Sequence, residues 1–287
     1  MIKTIENIIA PPAYHFVGDG FRVHNFIPSA IPMSRMNPFI MLDYNSPFVF
    51  PPSEQPPGVG VHPHRGFETV TIAYQGRVAH HDSAGNSGVI GEGEVQWMTA
   101  ASGVLHKEYH EQDFARKGGT FQMVQLWVNL PAEFKMSTPR YQAITREHIK
   151  KVDLQQNGHV EIIAGQYQGI QGPASTFSPV HLINVFLKAG GNINLSFDLK
   201  DNTALLVIKG SAIVLGQHIP ADHLVLFHPN GNEIHISSEE DSIILVMSAQ
   251  PIEEPIAAYG PFVMNTREEI MQSYQDFQQG KFGYLED

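Results

Sequence analysis

Two short patterns are the strongest chemical signal in this sequence. His62-Pro63-His64 opens a strand-like run, and side chains alternate between the two faces of a strand, so both imidazoles point the same way. The same spacing in His106-Lys107-Glu108 places an imidazole and a carboxylate on one face and Lys107 on the other. If neighbouring strands carry these two pairs, four ligands converge.

This combination of residue types is suited to a transition metal. Three neutral imidazoles and one carboxylate form a donor set for iron, manganese, nickel, copper or zinc, and they leave coordination positions open on an ion that prefers six ligands. The sequence has 15 His and no Cys, so neither thiolate ligands nor disulfides are available to it. An ion with open positions allows chemistry at this site.

Other polar residues are interpreted as ordinary surface or core positions. The segment His80 to Ser83 lies in a predicted polar turn, and a hydrolase triad is built from separated segments rather than adjacent residues. His110 has the spacing that would place it on the same strand face as the second pattern. Such an imidazole more often lies at the surface or contacts a metal-binding side chain than binds the metal itself. His218, His223 and His228 have no paired partner, so the second half is predicted to be free of metal.

Short β-rich runs surround both patterns and predict an all-β fold. Gly, Pro, Asn and Asp separate these runs, and no helical period persists among them. Strands at this spacing suggest a barrel or a sandwich. The clearest strands of the first half are predicted at Val59 to Tyr74, Arg77 to His81, Gly88 to Ile90, Val95 to Thr99 and Thr120 to Val128.

The strand pattern restarts after a break, which predicts two domains of one architecture. Leu130 to Gln142 contains two prolines and few β-branched residues and is the candidate linker. The predicted domains are a metal-binding barrel over residues 1–138 and a second barrel over residues 139–287. Strands of the second set are predicted at Glu161 to Ala164, His181 to Leu187, Ile193 to Phe197, Ala204 to Lys209, Ala212 to Leu215, Leu224 to Phe227, Glu233 to Ser237 and Ser242 to Ser248.

One short amphipathic helix is predicted near the C-terminus, within the second domain. Thr266 and Glu269 have the spacing of a capping box, in which each side chain bonds the backbone amide of the other residue. Gly280 closes the helical pattern. Apolar residues recur at i, i+4 and i+7, namely Ile270, Tyr274 and Phe277. This apolar face is expected to pack on a barrel.

Composition excludes several functional classes. Of 287 residues 42% are hydrophobic, which is enough for real cores. Lys and Arg number 18 against 29 Asp and Glu, and the formal charge of −11 argues against direct binding to nucleic acid or anionic lipid. No apolar run approaches the length of a membrane helix, and the N-terminus has no signal-peptide pattern. We therefore expect a cytoplasmic protein without a membrane partner, and we expect a monomer.

Longer segments around these patterns resemble known families. Gly58 to Gly76 and Gly91 to His110 resemble degenerate forms of the two cupin motifs, and Gly103-Val104-Leu105-His106 keeps the Gly-x-x-His of those proteins. The sequence as a whole resembles the pirin family. This resemblance rests on four segments spread along the chain, namely His62 to Thr71, Gln96 to Ala100, Leu126 to Pro131 and Gly260 to Thr266.

Resemblance to pirins implies a bicupin, with two jelly-roll barrels and metal only in the N-terminal one. Carried onto this sequence, the implied metal ligands are His62, His64, His106 and Glu108. Fe(II) is the expected ion, and Ni, Mn, Cu or Zn are the other candidates. The general cupin pattern would instead nominate Glu68 as the carboxylate ligand, so we prefer Glu108 and keep Glu68 as the alternative.

The resemblance also implies two different functions. In the first, a metal-dependent dioxygenase opens the ring of a flavonol such as quercetin, with a small aromatic substrate, O2, and Glu108 as both ligand and base. In the second, a non-catalytic, redox-sensitive metal protein acts on transcription through a protein partner, as in eukaryotic pirins. A sugar-phosphate isomerase with the same ligands is a third candidate, weakened because no Lys/Arg phosphate cradle is evident.

Overall fold

The chain folds almost entirely into short strands, as the alternating apolar pattern predicts. The computed structural model describes residues 1–286. The first half contains a 3-10 helix at Ala132–Phe134. Its other elements are β1 (Ile5–Ile9), β2 (His15–Val17), β3 (Phe21–Ile27), α1 (Met33–Met36), β4 (Phe39–Phe50), β5 (Gly58–His64), β6 (Phe67–Gln75), β7 (Val78–Asp82), β8 (Ser87–Ile90), β9 (Val95–Thr99), β10 (Val104–His110), α2 (Gln112–Lys117), β11 (Gly119–Asn129) and β12 (Arg140–Ile144).

The second half continues with short strands and ends in a helix. It contains a 3-10 helix at Gln155–Asn157. Its other elements are β13 (Lys150–Asp153), β14 (Gly158–Ala164), β15 (Gln166–Tyr167), β16 (Ile170–Gln171), β17 (Val180–Leu187), β18 (Asn192–Ser196), β19 (Asn202–Lys209), β20 (Ser211–Val214), β21 (Gln217–Pro220), β22 (Leu224–Phe227), β23 (Glu233–Ser237), β24 (Ser242–Ala249), β25 (Ala257–Tyr259), β26 (Phe262–Met264) and α3 (Arg267–Gln278). Within residues 1–286, no helix has both the length and the apolar composition needed to cross a membrane.

Contacts divide the chain into two compact units, each assembled from separate segments. The first unit, which we call the histidine barrel, comprises Ala13–Ser34, Pro38–Thr145 and the chain from Ile252 onward. The second unit, which we call the second barrel, comprises Met1–Pro12, Arg35–Asn37 and Arg146–Pro251. Each half of the predicted repeat therefore has its own compact core, although neither unit is a continuous stretch of sequence.

The two barrels share one topology. The histidine barrel pairs a seven-stranded sheet, in the order β12-β9-β6-β11-β4-β3-β2, with a four-stranded sheet, in the order β5-β10-β7-β8. The corresponding orders in the second barrel are β1-β22-β19-β24-β17-β14-β13 and β18-β23-β20-β21. The four strands β5, β10, β7 and β8 correspond in order to β18, β23, β20 and β21. In the larger sheets, β9, β6, β11 and β4 correspond in order to β22, β19, β24 and β17. The predicted all-β fold with two barrels of one architecture is confirmed.

The run predicted as one strand from Val59 to Tyr74 is instead two strands in different sheets. The chain turns at Gly66, whose φ of 89° lies in the left-handed region that favours glycine. A Cβ at Gly66 would also clash with the carbonyl oxygen of Val263. His64 therefore ends a strand of the four-stranded sheet, whereas Glu68 lies in the seven-stranded sheet. Alternation along one unbroken strand would place both side chains on the same face, and the strand is broken at this turn.

The C-terminal helix packs on the histidine barrel. The predicted capping box is present, because Glu269 N donates to Thr266 Oγ1 at 3.2 Å and Thr266 N donates to Glu269 Oε2 at 2.9 Å. Ile270 on the apolar face packs with Phe262 and Phe282. Contacts thus group this helix with the first barrel, although the predicted division placed it in a domain of residues 139–287.

Part of the predicted linker also belongs to the histidine barrel. Arg140–Ile144 forms β12, in which Arg140 pairs with Thr99 of β9. The chain leaves this barrel between Thr145 and Arg146. The contact grouping therefore differs from the predicted boundary at residues 138 and 139, because pairing between distant segments is not visible in the local proline content.

Candidate metal centre

Strand β10 brings together polar residues of three strands on the inner side of the four-stranded sheet. Its His106 lies directly opposite His62 of β5, and its Glu108 lies directly opposite His80 of β7. Side chains directly opposite in an antiparallel pair lie on the same face, with Cβ atoms about 4.5–5.5 Å apart. His80, His106 and Glu108 are at most 4% exposed, so this face is the barrel interior.

Three imidazoles meet in this interior. The ring centroids of His62 and His106 are 4.2 Å apart, those of His64 and His106 are 4.7 Å apart, and those of His62 and His64 are 4.8 Å apart. One nitrogen of each ring lies within 4.8 Å of a nitrogen of each of the other two. The structure therefore brings together the three histidines that the sequence nominates, and we call them the imidazole group.

Glu108, the nominated carboxylate, belongs to a second group that overlaps the first. Ligand atoms of His80, His106 and Glu108 lie within 4.8 Å of one another, and we call these residues the carboxylate group. The pairing of β10 with β5 shifts register between His106 and Glu108, which sets Glu108 opposite Val59. The four nominated ligands are thus spread over two groups that share His106.

Three side-chain donors orient the Glu108 carboxylate. Its Oε1 accepts from Gln96 Nε2 at 2.8 Å and from Thr71 Oγ1 at 3.2 Å, and its Oε2 accepts from Gln125 Nε2 at 2.7 Å. These donors lie on β9, β6 and β11, so the seven-stranded sheet supplies all three. An ionised carboxylate has about four lone-pair sites, so Glu108 retains capacity for a metal or a proton.

Several buried ring nitrogens of the centre have no hydrogen-bond partner among residues 1–286. They are His64 Nδ1, His80 Nδ1 and both nitrogens of His106. A buried polar atom without a partner costs about 1–3 kcal/mol, so folded proteins rarely retain several together. His62 Nδ1 contacts Gly60 O at 2.8 Å, which leaves Nε2 for another ligand. A divalent ion would take up the free lone pairs, so these residues fit the implied metal.

Burial keeps two of these imidazoles in the metal-binding form. It is the main cause that holds the pKa of His64 and His106 well below the ordinary histidine value, and the neighbouring His62 lowers both further. A metal binds the unprotonated nitrogen of a neutral imidazole. Both rings are therefore ready to bind a cation at neutral pH.

Both halves of the chain match models of one protein family. The Pirin model matches residues 20–128, and the model of the Pirin C-terminal cupin domain matches residues 182–283. The chain belongs to the pirin family. Its two barrels are accordingly of the cupin type, as the motifs predicted.

Pirin relatives and quercetin dioxygenases cover the chain almost completely. A protein of Pseudomonas aeruginosa, provisionally named a quercetin 2,3-dioxygenase, is 45% identical over 98% of this chain and 99% of its own length. A pirin-like protein of Solanum lycopersicum is 37% identical over 93% of this chain and 89% of its own. A crystal structure of quercetin 2,3-dioxygenase from Acinetobacter baumannii matches with a TM-score of 0.94 at 43% identity, and 100% of both chains is covered.

Glu68, the alternative carboxylate ligand, lies outside both groups of this pirin. Its Oε1 accepts from Thr99 Oγ1 at 2.7 Å and lies 3.9 Å from a terminal nitrogen of Arg140. Burial raises the pKa of Glu68 to about 7, against the opposing effect of the Thr99 hydrogen bond. Within the described chain, neither group of possible metal ligands includes Glu68.

His80 belongs to the second group of possible metal ligands, and the sequence reasoning did not nominate it. His80 lies on β7, within the strand predicted at Arg77 to His81, and is 0% exposed, so the interpretation of His80 to Ser83 as a polar turn is wrong for this residue. Its Nε2 lies 3.3 Å from Asp82 Oδ2, and its ring stacks on Tyr141 with centroids 4.9 Å apart. The signal was present, because His80-x-Asp82 repeats the histidine-x-acid spacing of the second metal pattern.

The remaining nominated histidines lie apart from the centre. His110 is a core residue, with Nε2 2.8 Å from Gly20 O and its ring stacked on Phe121. In the second barrel, His218, His223 and His228 lie at exposed or half-buried positions. Among residues 1–286, both groups of possible ligands come from the histidine barrel. That the second barrel binds no metal stays a prediction.

A small cavity adjoins the centre on the side of His62 and Glu108. Its volume is about 40 Å³, and a cavity needs about 10–15 Å³ to hold a water molecule. Burial raises the pKa of Asp43, one of its wall residues, to about 6. The other wall residues are Val17, Phe21, Val23, Val59, Met123 and Gln125. As it stands, the cavity admits a molecule of the size of water or O2.

Proposed function

We propose that this pirin is a metal-dependent dioxygenase that opens the ring of a flavonol of the quercetin type. The observation that carries the proposal is the convergence of three imidazoles, two of which have buried nitrogens without a hydrogen-bond partner, beside an oriented carboxylate. The quercetin 2,3-dioxygenase names of the two bacterial relatives support the same reaction class. The proposed ligands are His62, His64, His106 and Glu108, with Fe(II) as the first ion and Ni, Mn, Cu or Zn as alternatives.

Different residues of the chain carry different steps of the proposed reaction. A bound divalent ion would supply Lewis acidity toward a substrate hydroxyl, together with open coordination positions. Glu108 accepts the proton of the flavonol 3-hydroxyl, because its carboxylate lines the cavity beside His62. The amide groups of Gln96 and Gln125 each hold one oxygen of Glu108, so its orientation is kept while it takes the proton.

Access for a flavonol requires the cavity to open. Pockets for ligands of this size measure about 300–1,000 Å³, whereas the cavity beside Glu108 measures about 40 Å³. Val17 on its wall belongs to β2, a strand of three residues at the edge of the seven-stranded sheet. A short edge strand has few hydrogen bonds to lose, so we expect this wall to move aside when a flavonol binds.

The same small cavity favours a second candidate function. A chain that admits only molecules of the size of water would bind its metal without turning over a flavonol. It would then act as a redox-sensitive regulator through a protein partner, since the formal charge of −11 opposes direct contact with nucleic acid. The two candidates differ in a measurable property, which is flavonol turnover.

Oxygen uptake decides between the two functions. The purified chain is stripped of metal, reconstituted separately with Fe(II), Mn, Ni, Cu and Zn, and mixed with a panel of flavonols while oxygen, carbon monoxide and bound metal are measured. Ring opening should consume oxygen and release carbon monoxide. If no ion supports oxygen uptake with any flavonol, the dioxygenase proposal is abandoned and the regulatory candidate remains.

Two matched glutamine substitutions test the role of Glu108. Glu108→Gln should keep the fold and lower turnover by about 10²-fold or more, which is typical of losing a positioned base. Glu68→Gln changes a carboxylate that is equally buried but lies outside both groups, so turnover should stay within a few-fold. Complete metal loss in Glu68→Gln, with metal retained in Glu108→Gln, would reverse the ligand assignment.

A further inference from the structure

A cleft on the second barrel has the size of a ligand site. Its volume is about 580 Å³, within the range of about 300–1,000 Å³ that is usual for small-molecule sites. One wall is the hairpin of β15 and β16, and the other contains Asn194, Ser196 and Asp198, at and just after the end of β18. Ile193 and Leu195 point into the apolar core, so the two polar residues of β18 lie on its outer face. All residues that line the cleft belong to the second barrel, so the cleft is separate from the metal centre.

The hairpin wall is held in one conformation. Gln168 and Gly169, with φ of 49° and 78°, form its two-residue turn, and positive φ at both positions suits a tight hairpin. At its base, Gly172 N donates to Gly165 O at 2.8 Å. A Cβ at Gly165 would lie 2.5 Å from His181 Nδ1, so glycine lets the hairpin and this ring approach each other. A wall that is already ordered lowers the entropic cost of binding a ligand.

The cleft offers both hydrogen-bond donors and acceptors. His181 Nδ1 accepts from Gln166 N at 3.4 Å, so a neutral ring carries its proton on Nε2 and can donate it to a ligand. Asn194 Oδ1 contacts His235 Nδ1 at 2.8 Å, which leaves the NH2 group of this amide as a donor. The exposed carboxylate of Asp198 supplies acceptors. A hydroxyl group both donates and accepts, so this mixture suits a ligand with many hydroxyl groups.

Two aromatic side chains add apolar surface to these polar walls. Phe197 is 8% exposed and packs edge-on against His181, with ring centroids 5.4 Å apart. Tyr167 is partly buried against the apolar core, and its hydroxyl accepts from Gln168 Nε2 at 3.2 Å. A pyranose ring has an apolar C–H face and hydroxyl groups around its edge. An aromatic ring beside amides and a carboxylate therefore matches the two kinds of surface of a sugar.

The extent and the charge of the cleft narrow the class of ligand. A second cavity of about 390 Å³ shares Asn194 and Ser196 and continues to Glu233 and His235 of β23. Among the described residues that line the two cavities, none is Lys or Arg, whereas Asp198 and Glu233 are acidic. A phosphate or carboxylate group would have no side-chain cation to pair with. The surface therefore favours an elongated ligand without negative charge.

We propose that this cleft binds a neutral oligosaccharide of two or more sugar units. Tyr167 stacks on one unit, and His181, Asn194 and Asp198 bind the hydroxyl groups of that unit. The next unit lies along the outer face of β18 and β23. The site goes beyond the proposed function and shares no residue with the metal centre, so failure of flavonol turnover would leave it standing.

Binding of defined sugars to the full chain tests the site. The chain is first applied to a printed array of neutral, basic and acidic oligosaccharides, and isothermal titration calorimetry then gives Kd for the neutral compounds that bind. At least one neutral oligosaccharide should bind with one molecule per chain. It should bind at least fivefold tighter than the monosaccharide from which it is built, because it also contacts the second cavity. Glucose 6-phosphate should show no binding at concentrations at which that oligosaccharide saturates the chain.

Three substitutions locate the bound sugar. Tyr167→Ala should weaken Kd by about fivefold or more through loss of the stacked ring. Ser196→Trp fills the cleft from an exposed position and should abolish binding without disturbing the core. Asn192→Trp is the matched control, because Asn192 lies on the same exposed face of β18 but does not line the cleft. The control should keep Kd within twofold, and circular dichroism checks the fold of each variant.

Three results would overturn the proposal. The first is that no neutral oligosaccharide on the array binds, and the second is that acidic oligosaccharides bind as tightly as neutral ones. The third is a Kd in folded Ser196→Trp equal to that of the unsubstituted chain, which would place the sugar elsewhere on the surface.

Discussion

Removing one carboxylate from the C-terminal helix tests how the histidine barrel holds the strand that carries His64. Arg65, the next residue, is 4% exposed and donates from a terminal nitrogen to Asp276 Oδ2 at 2.8 Å. Its Nε donates to Ser102 O at 2.7 Å, and its guanidinium lies 4.6 Å from the centroid of the Phe282 ring. Asp276→Ala would leave this guanidinium buried without its carboxylate.

The expected cost follows from the burial of the pair. The side chains of Arg65 and Asp276 are 5% and 9% exposed, and breaking a buried ion pair costs about 3–5 kcal/mol because one charge stays desolvated. At about 2–4 °C per kcal/mol, Asp276→Ala should lower Tm by about 10 °C. Lys281 also contacts Asp276 but is 54% exposed, so the control Lys281→Met should cost about 1 kcal/mol or less. Urea unfolding followed by circular dichroism measures the loss of stability in both variants, and thermal unfolding gives the change in Tm.

The pair also has a pH dependence of definite sign. Hydrogen bonds from Lys281 and Arg65 hold the pKa of Asp276 well below its ordinary range. A carboxyl with a lowered folded pKa stabilises the fold above its unfolded pKa of about 4, and this contribution is lost as the pH falls. The difference in unfolding free energy between the unsubstituted chain and Asp276→Asn should therefore shrink below pH 4. The same urea unfolding assay measures it. If Asp276→Ala costs no more than Lys281→Met at pH 7, the reasoning about the buried pair is refuted.

Two further predictions concern the barrel interior. Burial raises the folded pKa of Glu68 to about 7, above an unfolded value of about 4.3, so the folded chain binds more protons in this window and stability falls as the pH rises through it. Glu68→Gln should remove this slope and be more stable at pH 8 by up to about 4 kcal/mol. Unchanged urea midpoints at pH 5 and pH 8 would contradict this. Val17→Ala should raise kcat/KM for flavonols several-fold by widening the cavity wall, and no change would exclude this wall as the route of access.

The predictable features are those that depend on alternation within one strand. β10 buries His106 and Glu108 and leaves Lys107 partly exposed, as the spacing of the three residues requires. The short strands of both halves were predictable for the same reason, because a half-buried strand alternates apolar and polar residues in its sequence. The convergence of His62 and His64 with His106 followed once their strands were taken to be neighbours.

The features that sequence reasoning missed depend on contacts between distant segments. The turn at Gly66 separates His64 from Glu68. It requires glycine because the Val263 carbonyl occupies the space that a Cβ would need, and no local sequence pattern shows that this carbonyl comes close. The register shift between β10 and β5 sets Glu108 opposite Val59, whereas the unbroken pairing of β10 with β7 sets it opposite His80, and register is a property of the pairing rather than of either strand. These contacts, not residue types, decide which carboxylate joins the imidazoles.

The second barrel shows how the same topology packs when the inward positions are apolar. Its strands β18 and β23 correspond to β5 and β10 in strand order, and Ile193 pairs with Ile236 as Leu195 pairs with Ile234. These four residues are at most 3% exposed and belong to the apolar core, so their burial stabilises the barrel directly.

The corresponding pair in the histidine barrel places His62 opposite His106. Polar groups there are desolvated without hydrogen bonds of their own, which destabilises the barrel unless an ion binds. The corresponding strands of the second barrel fill these positions with apolar side chains. Fold stability alone therefore does not account for the polar side chains in the histidine barrel. The imidazoles are therefore best explained by a cation site, which supports the function proposed for the histidine barrel.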